Sequence, residues 1–409
     1  MVETAVGLLS AAPGWVDGLR VRPLVEGALD FLPRAWDEER ALYSFSATLG
    51  PAGELVQDWS HPQTVRYTIN SLLGLHAAQG AGALPAIEAF ASRHASQISS
   101  PADLGLFAVL TAECGDDARA ASALAGIDSA ATLPSVRLNM QDLGWMLWGA
   151  CACARAGVSG GDAAARRLLD RILEEFVHPR TGLPVHSLRP YRRNVVSFGS
   201  LVYFLRSLHE AAHALGDERA AVRFRDGVER AIAFQGPQGE WPWMIDVARG
   251  RAFDRYPVFG VHQDSMSMLF LLPAVAAGAP GASQAVERSL RWVHGENELG
   301  LRMVVDEPFF FAYRAIERDE RAAKARRYAR WLAHGAAEAA PAGSLRVNRE
   351  CRSYHLGWIL YAWARLLERP SPLHVDDADS EEADLGAGQL RRRIALAQLL
   401  PEARDVAAE

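Results

Sequence analysis

Apolar residues are distributed along the chain in two alternating kinds of stretch. Nearly all-apolar stretches span about 63–79, 103–114, 140–156, 196–215, 262–278, 307–317 and 353–368. Between them, stretches near 22–38, 84–97, 116–125, 162–177, 217–234, 281–295 and 319–336 are more charged and carry apolar side chains at i, i+3, i+4 spacing, on one face only. A helix that is apolar all round has to be buried, and a helix with one apolar face has to cover something. The alternation therefore predicts two concentric helical layers built from six or seven hairpins. No series of β-branched strands alternates with the helices, so a parallel-sheet fold is excluded and the fold class is all-α.

The all-apolar stretches also share a phrase. Leu143-Gly144-Trp145-Met146-Leu147-Trp148 returns as Leu356-Gly357-Trp358-Ile359-Leu360-Tyr361, and in shorter form as Leu104-Gly105-Leu106-Phe107 and Leu73-Gly74-Leu75. A unit that recurs through a chain and cannot bury its own apolar face stacks on its copies. Here the copies are expected to close into a ring, an (α/α)6 or (α/α)7 toroid. Links from inner to outer helices are short and carry Gly, as at Gly115, Gly157 and Gly216, whereas several links from outer to inner helices are long and rich in aromatic and charged residues. Short β-hairpins are expected in the long links, and function is expected on their rim, at the beginnings of the inner helices.

Composition narrows the classes. With 49% hydrophobic and 22% charged residues among 409, the chain can bury a large core, and the repeat argues for one domain over 1–369. Lys and Arg total 43 against 49 Asp and Glu, which gives no basic face for nucleic acid. No apolar run reaches the ~18 residues of a membrane span and the N-terminal segment does not resemble a secretory signal, so a cytoplasmic protein is expected. Cys114, Cys151, Cys153 and Cys351 are too few for a disulfide scaffold and are expected to be reduced. After Arg369 the pattern changes: Pro370-Ser-Pro, an acidic stretch from Asp376 to Asp384, then Gln389–Leu400, which reads as a short basic amphipathic helix able to dock on the ring or a partner, or else as a disordered tail.

This grammar resembles the α/α-toroid superfamilies: six-hairpin glycosidase-like and sugar-epimerase barrels on one side, terpenoid cyclases and protein prenyltransferases on the other. The strings Arg66-Tyr67-Thr68-Ile69, Gly239-Glu240-Trp241-Pro242-Trp243 and Tyr256-Pro257-Val258-Phe259-Gly260-Val261-His262-Gln263-Asp264 are similar to those of uncharacterised bacterial toroids that accompany polysaccharide genes. That resemblance implies a carbohydrate-active enzyme. Gln235-Gly-Pro-Gln-Gly239-Glu-Trp241 resembles the Gln-x3-Gly-x-Trp motif that braces squalene-hopene-type cyclases, which implies a terpene-cyclase-like enzyme as the alternative. The cyclase acid run Asp-x-Asp-Asp is lacking, since His374-Val375-Asp376-Asp377 lies in the tail without its first aspartate, and Ser380 breaks the Asp-Asp-x-x-Asp pattern. A non-catalytic toroid serving as a binding module is the third reading.

Candidate chemistry gathers at the helix beginnings. His262-Gln263-Asp264 follows a loop holding Trp241, Trp243 and Tyr256; three polar groups inside an apolar helix are costly unless bonded, which favours the rim, although Asp264 or Gln263 can equally cap the helix. Asp142 in Asn139-Met140-Gln141-Asp142 offers a second carboxylate with the same capping alternative, and Glu307 precedes Pro308 at what reads as a first helical turn. Glu350-Cys351-Arg352-Ser353-Tyr354-His355 brings Tyr354 and His355 as proton donor and acceptor and Arg352 as a bidentate anion ligand. Trp59, Arg66, Tyr67, Arg193 and Asn194 complete a rim of sugar-stacking rings and polar groups, with Arg192 and Arg193 pointing to an anionic or oligomeric saccharide. Asp264 with Asp142 or Glu307 is the expected acid and base pair, assisted by His262, Tyr354 and His355, for hydrolysis, epimerisation or elimination. For hydrolysis, carboxylates ~5 Å apart would give retention and ~6.5–9.5 Å inversion.

Neither metal nor cofactor is expected. Cys151 and Cys153 project about 200° apart on a helix, Cys351 with His355 supplies two ligands where zinc needs three or four, and no Gly-rich phosphate loop or serine nucleophile elbow occurs.

Overall fold

The computed structural model describes residues 20–318 and 345–367, which fall within one unit, Met1–Arg369. Each apolar stretch but one is an inner helix, each inner helix but the last is followed by a described outer one, and a further outer helix precedes the first. In chain order the helices are α1 (Val21–Ala35), α2 (Thr64–Gln79), α3 (Leu84–His94), α4 (Pro101–Glu113), α5 (Asp117–Ala131), α6 (Met140–Arg155), α7 (Gly161–Glu175), α8 (Phe198–Leu215), α9 (Glu218–Ile232), α10 (Met268–Ala276), α11 (Ala282–Val293) and α12 (Ser353–Leu367). A π-helical turn, His262–Met266, precedes α10. Among the described residues α2, α4, α6, α8, the π-turn with α10, and α12 touch their neighbours in that order, and α12 closes on α2. That is a ring of six, with α1, α3, α5, α7, α9 and α11 outside it.

The shared glycine phrase marks where inner helices touch backbone to backbone. A Cβ on Gly105 would lie 2.4 Å from the carbonyl oxygen of Trp145, one on Gly149 2.5 Å from that of Gly105, and one on Gly144 3.0 Å from that of Tyr203. Gly74 and Gly357 do the same between α2 and α12. The aromatic residues of the phrase then fill the middle: Trp145, Trp148 and Trp358 are almost wholly buried, and Trp148 and Trp358 stack with centroids 6.0 Å apart.

The long links carry the strands, as their composition suggests. They are β1 (Trp36–Asp37), β2 (Leu42–Tyr43), β3 (Ser46–Leu49) and β4 (Leu55–Asp58) before α2; β5 (Val195–Ser197) before α8; β6 (Met244–Asp246), β7 (Arg251–Asp254) and β8 (Val258–Phe259) before the π-turn; and β9 (Val304–Val305), β10 (Phe311–Ala312), β11 (Ala315–Arg318) and β12 (Leu345–Asn348) before α12. They do more than form hairpins. β6 joins β5 from the preceding long link to β7, and β11 joins β8 to β12, all antiparallel, so successive loops are sewn together along the rim.

One expectation is overturned. Residues 307–317, read as an inner helix, form β10, most of β11 and the loop before them, because their aromatic run Phe309-Phe310-Phe311 packs as strand and loop against α1. The outer stretch 319–336 and the C-terminal segment 370–409 lie outside the described residues. No helix of the described residues is long and apolar enough to cross a membrane.

Candidate functional site

The inner helices start on one rim, and their first turns meet. On α2, Arg66 pairs with Asp103 on α4 and also reaches Ser100 Oγ at 3.3 Å. Tyr67, one residue on, stacks on Phe45 at 4.6 Å and meets the tilted ring of Tyr354 of α12 at 4.3 Å. Most telling is a pair at the centre: Nε2 of His355, on α12, donates to Asp264 of the π-turn, 2.8 Å from Oδ1 and 2.9 Å from Oδ2. Both side chains are buried, and the indole N–H of Trp363 holds the backbone carbonyl of Asp264 at 2.6 Å.

A π-turn adds one residue to a helical turn and redirects the side chains that follow, which is why such turns concentrate at functional sites. Here it places His262 and Asp264 inside while Gln263 faces the preceding loop. With its amide oriented to match its neighbours, Gln263 donates to the Gly239 carbonyl at 3.0 Å and accepts from the Trp241 N–H at 3.2 Å.

His262 is buried, and its Nδ1 has no hydrogen-bond partner among the described residues. Burial, reinforced by the neighbouring His355, pushes its pKa down to about 3, so the ring is neutral at ordinary pH. Trp243, half-buried, lies parallel to it at 6.4 Å, and Phe259 meets it edge-on at 5.1 Å. Burial pushes the phenols of Tyr354 and Tyr67 up, although Arg352, Arg314 and Arg66 around Tyr67 oppose the shift. Both phenols are therefore protonated donors at neutral pH.

The frame around this centre is ionic. Arg314, on the turn between β10 and β11, and Arg352, just before α12, both bind Oε2 of Glu350, at 2.7 and 2.8 Å. Arg352 lies 3.8 Å over the ring of Phe45, whose plane also stacks on His61 at 3.6 Å.

The other residues singled out by sequence are engaged in local structure, although Asp142 lies near the Arg66–Asp103 pair. Asp142 forms a capping box with Asn139: its Oδ2 accepts from the Asn139 N–H at 3.1 Å, while Asn139 Oδ1 accepts from the N–H groups of Gln141 and Asp142. Burial raises its pKa. Glu307 is exposed between β9 and β10, in the loop whose Phe309 ring packs on Phe31 of α1, and so it does not start a helix. Trp241 is wholly buried, donates to Ser289 Oγ at 2.9 Å and stacks on Phe198; Gln235 binds the Gly239 and Ala285 carbonyls and Ser289 Oγ, so this string clamps its loop to α11. Tyr256 is buried and donates to Glu298 at 3.0 Å. Trp59 is half-buried under the Arg40 guanidinium, and Arg193 and Asn194 are exposed before β5. Arg314 and Phe45 escape a sequence reading of the site, Arg314 because its segment reads as helix, and Glu350 is read there only as part of its string, with no role of its own. Among the described residues no group of three His, Cys, Asp or Glu is arranged to hold a metal ion.

No known family model and no curated protein matches the sequence. Solved structures do match the fold. A cellobiose 2-epimerase from Bacillus thermoamylovorans superimposes with a TM-score of 0.57 at 10% identity, over 84% of this chain and 98% of that one. An unsaturated glucuronyl hydrolase specific for heparin gives 0.57 at 11% identity, over 85% and 97%. An α-1,6-mannanase of Salegentibacter sp., solved as an inactive variant with α-1,6-mannotriose, gives 0.51 at 9% identity, over 84% and 98%. The chain thus has the α/α-toroid fold of these proteins.

Proposed function

We propose that this chain is a carbohydrate-active enzyme that moves a proton next to a sugar carbonyl, with His355 as its base. The observation that carries the reading is the buried His355–Asp264 pair beside a neutral His262. Asp264 holds one ring nitrogen of His355, which leaves Nδ1 as the nitrogen that exchanges a proton, and the carboxylate favours the imidazolium that forms. In an open-chain reducing sugar, His355 takes the proton from C2; the C–H electrons form the C1–C2 double bond, and the carbonyl oxygen gains negative charge. A neutral His262 N–H or the Tyr354 hydroxyl is suited to donate to that oxygen. When the enediolate turns about its C2–C3 bond, His355 gives the proton to the other face of C2 as the oxygen's electrons re-form the carbonyl, which yields the 2-epimer. Trp243 supplies an apolar ring face on which a saccharide stacks.

The toroids of similar fold include a cellobiose 2-epimerase, which supports a saccharide substrate of one or a few residues. Hydrolysis by two carboxylates is less well served: Asp264 is bound by His355, Asp142 is taken into a helix cap, and Glu307 is exposed beside α1. A cage for carbocations would be lined by apolar rings, whereas this centre carries a hydrogen-bonded histidine–carboxylate pair and three arginines. The four free cysteines suit a reducing compartment, in keeping with a cytoplasmic enzyme.

The test is conversion of reducing disaccharides, cellobiose among them, by the native enzyme and by His355→Asn and Asp264→Asn. Each variant is expected to lose roughly 10²–10⁴-fold in kcat. Turnover that survives His355→Asn unchanged defeats the assignment.

A further inference from the structure

Resting on the reading of this rim as a saccharide site, we infer that the sugar it takes carries a carboxylate, received by Arg314 together with the hydroxyls of Tyr67 and Tyr354. Charge at this corner is uneven. Two guanidinium groups, Arg314 and Arg352, share one carboxylate, and both end on the same oxygen, Oε2 of Glu350. The third nearby arginine, Arg66, has its own partner in Asp103, and Asp264 is bound by His355. Asp58 also acts on Arg352, but its Oδ1 is taken up by the N–H and hydroxyl of Ser60.

The two arginines differ in access. The Arg352 side chain is 9% exposed and pressed on Phe45, and its Nε has no partner among the described residues. The Arg314 side chain is 36% exposed and binds Glu350 through Nη1 alone. Its remaining N–H groups are the ones an incoming carboxylate can meet, in the two-pronged geometry that guanidinium groups favour.

The phenols fit the same role. Tyr67 and Tyr354 are in ring contact, both feel the charges of Arg314 and Arg352, Tyr354 also feels Asp264, and neither hydroxyl bonds to another described residue. Both stay protonated at neutral pH, so each has a proton to give to an anion. The beginning of α12, at Ser353, adds the positive end of its dipole. Asp264, which holds His355, acts electrostatically on Tyr354, so an anion held here lies near the His355–Asp264 pair. Arg192 and Arg193, which sequence alone nominates for an anion, are exposed, and Arg192 is engaged with His186 Nε2 at 3.0 Å.

The test is binding measured by calorimetry on the full chain, with D-glucuronate, D-glucose and glucose 6-phosphate as probes, so that no turnover is needed. The native protein is expected to bind glucuronate at least about tenfold more tightly than glucose. Arg314→Gln is expected to remove that preference and Arg314→Lys to restore part of it, while His355→Asn, which stops the chemistry, keeps it. Equal binding of glucuronate and glucose, no binding of either, or a preference that survives Arg314→Gln overturns the inference. Stronger binding of glucose 6-phosphate than of glucuronate overturns the carboxylate as the recognised group. Loss of turnover in His355→Asn tests the proton-transfer reading separately.

Discussion

A Cβ on Gly74 would stand 2.0 Å from the carbonyl oxygen of Gly357, on the inner helix that closes the ring. The obstacle is backbone, which cannot swing aside as a side chain can. The two helices can meet at this distance because both positions are glycine, as a Cβ on Gly357 would in turn lie 2.5 Å from the Asn70 carbonyl oxygen. Gly74→Ala and Gly105→Ala are therefore expected to destabilise the protein by about 1–3 kcal/mol or more through overpacking. Denaturant unfolding of each variant checks this, and an unchanged midpoint would contradict the close approach.

The capping box at α6 gives a second expectation. Asn139→Ala removes an acceptor that serves two backbone N–H groups and should cost about 1 kcal/mol. Asp142→Asn should cost a similar amount or less and leave turnover near the native level. A kcat collapse in Asp142→Asn at preserved stability would return this carboxylate to the chemistry.

Acid should destabilise the fold through buried histidines. His262 has a pKa pushed down to about 3, His209 to about 3 and His186 to about 4, each chiefly by burial. The ordinary value is about 6.5, so between it and these depressed values the unfolded chain binds more protons than the folded one, and stability falls as pH falls through that window. His262 alone accounts for up to about 5 kcal/mol at the acid end. Unfolding free energies at pH 7 and pH 5 should differ in that direction, and His262→Phe should narrow the difference. A difference that His262→Phe leaves at full size would show that His262 is not held neutral.

What the sequence makes legible here is what local physics decides. The spacing of apolar residues sets the two helical layers, and the Leu-Gly phrase marks where inner helices touch, because a missing Cβ is a local fact with a packing consequence. The Asn139-x-x-Asp142 cap is legible for the same reason. The segment 307–317 misleads because a short apolar aromatic run has no period by which to tell strand from helix, and Arg314 is hidden with it. The partnership of His355 with Asp264 is legible only as two candidates: 91 positions separate them, and it takes a closed ring and a π-turn to bring them to 2.8 Å. Which oxygen of Glu350 two arginines share is likewise a tertiary fact.

The central claim is that His355, held by Asp264, takes a proton from the carbon beside a sugar carbonyl. Incubation of a reducing sugar that the enzyme converts in deuterium oxide, followed by proton NMR, reads this directly. The account predicts loss of the C2 proton signal from the product, with deuterium at C2, and abolition of that exchange in His355→Asn. Product formed with its C2 proton fully retained, or exchange that continues undiminished in His355→Asn, would contradict it.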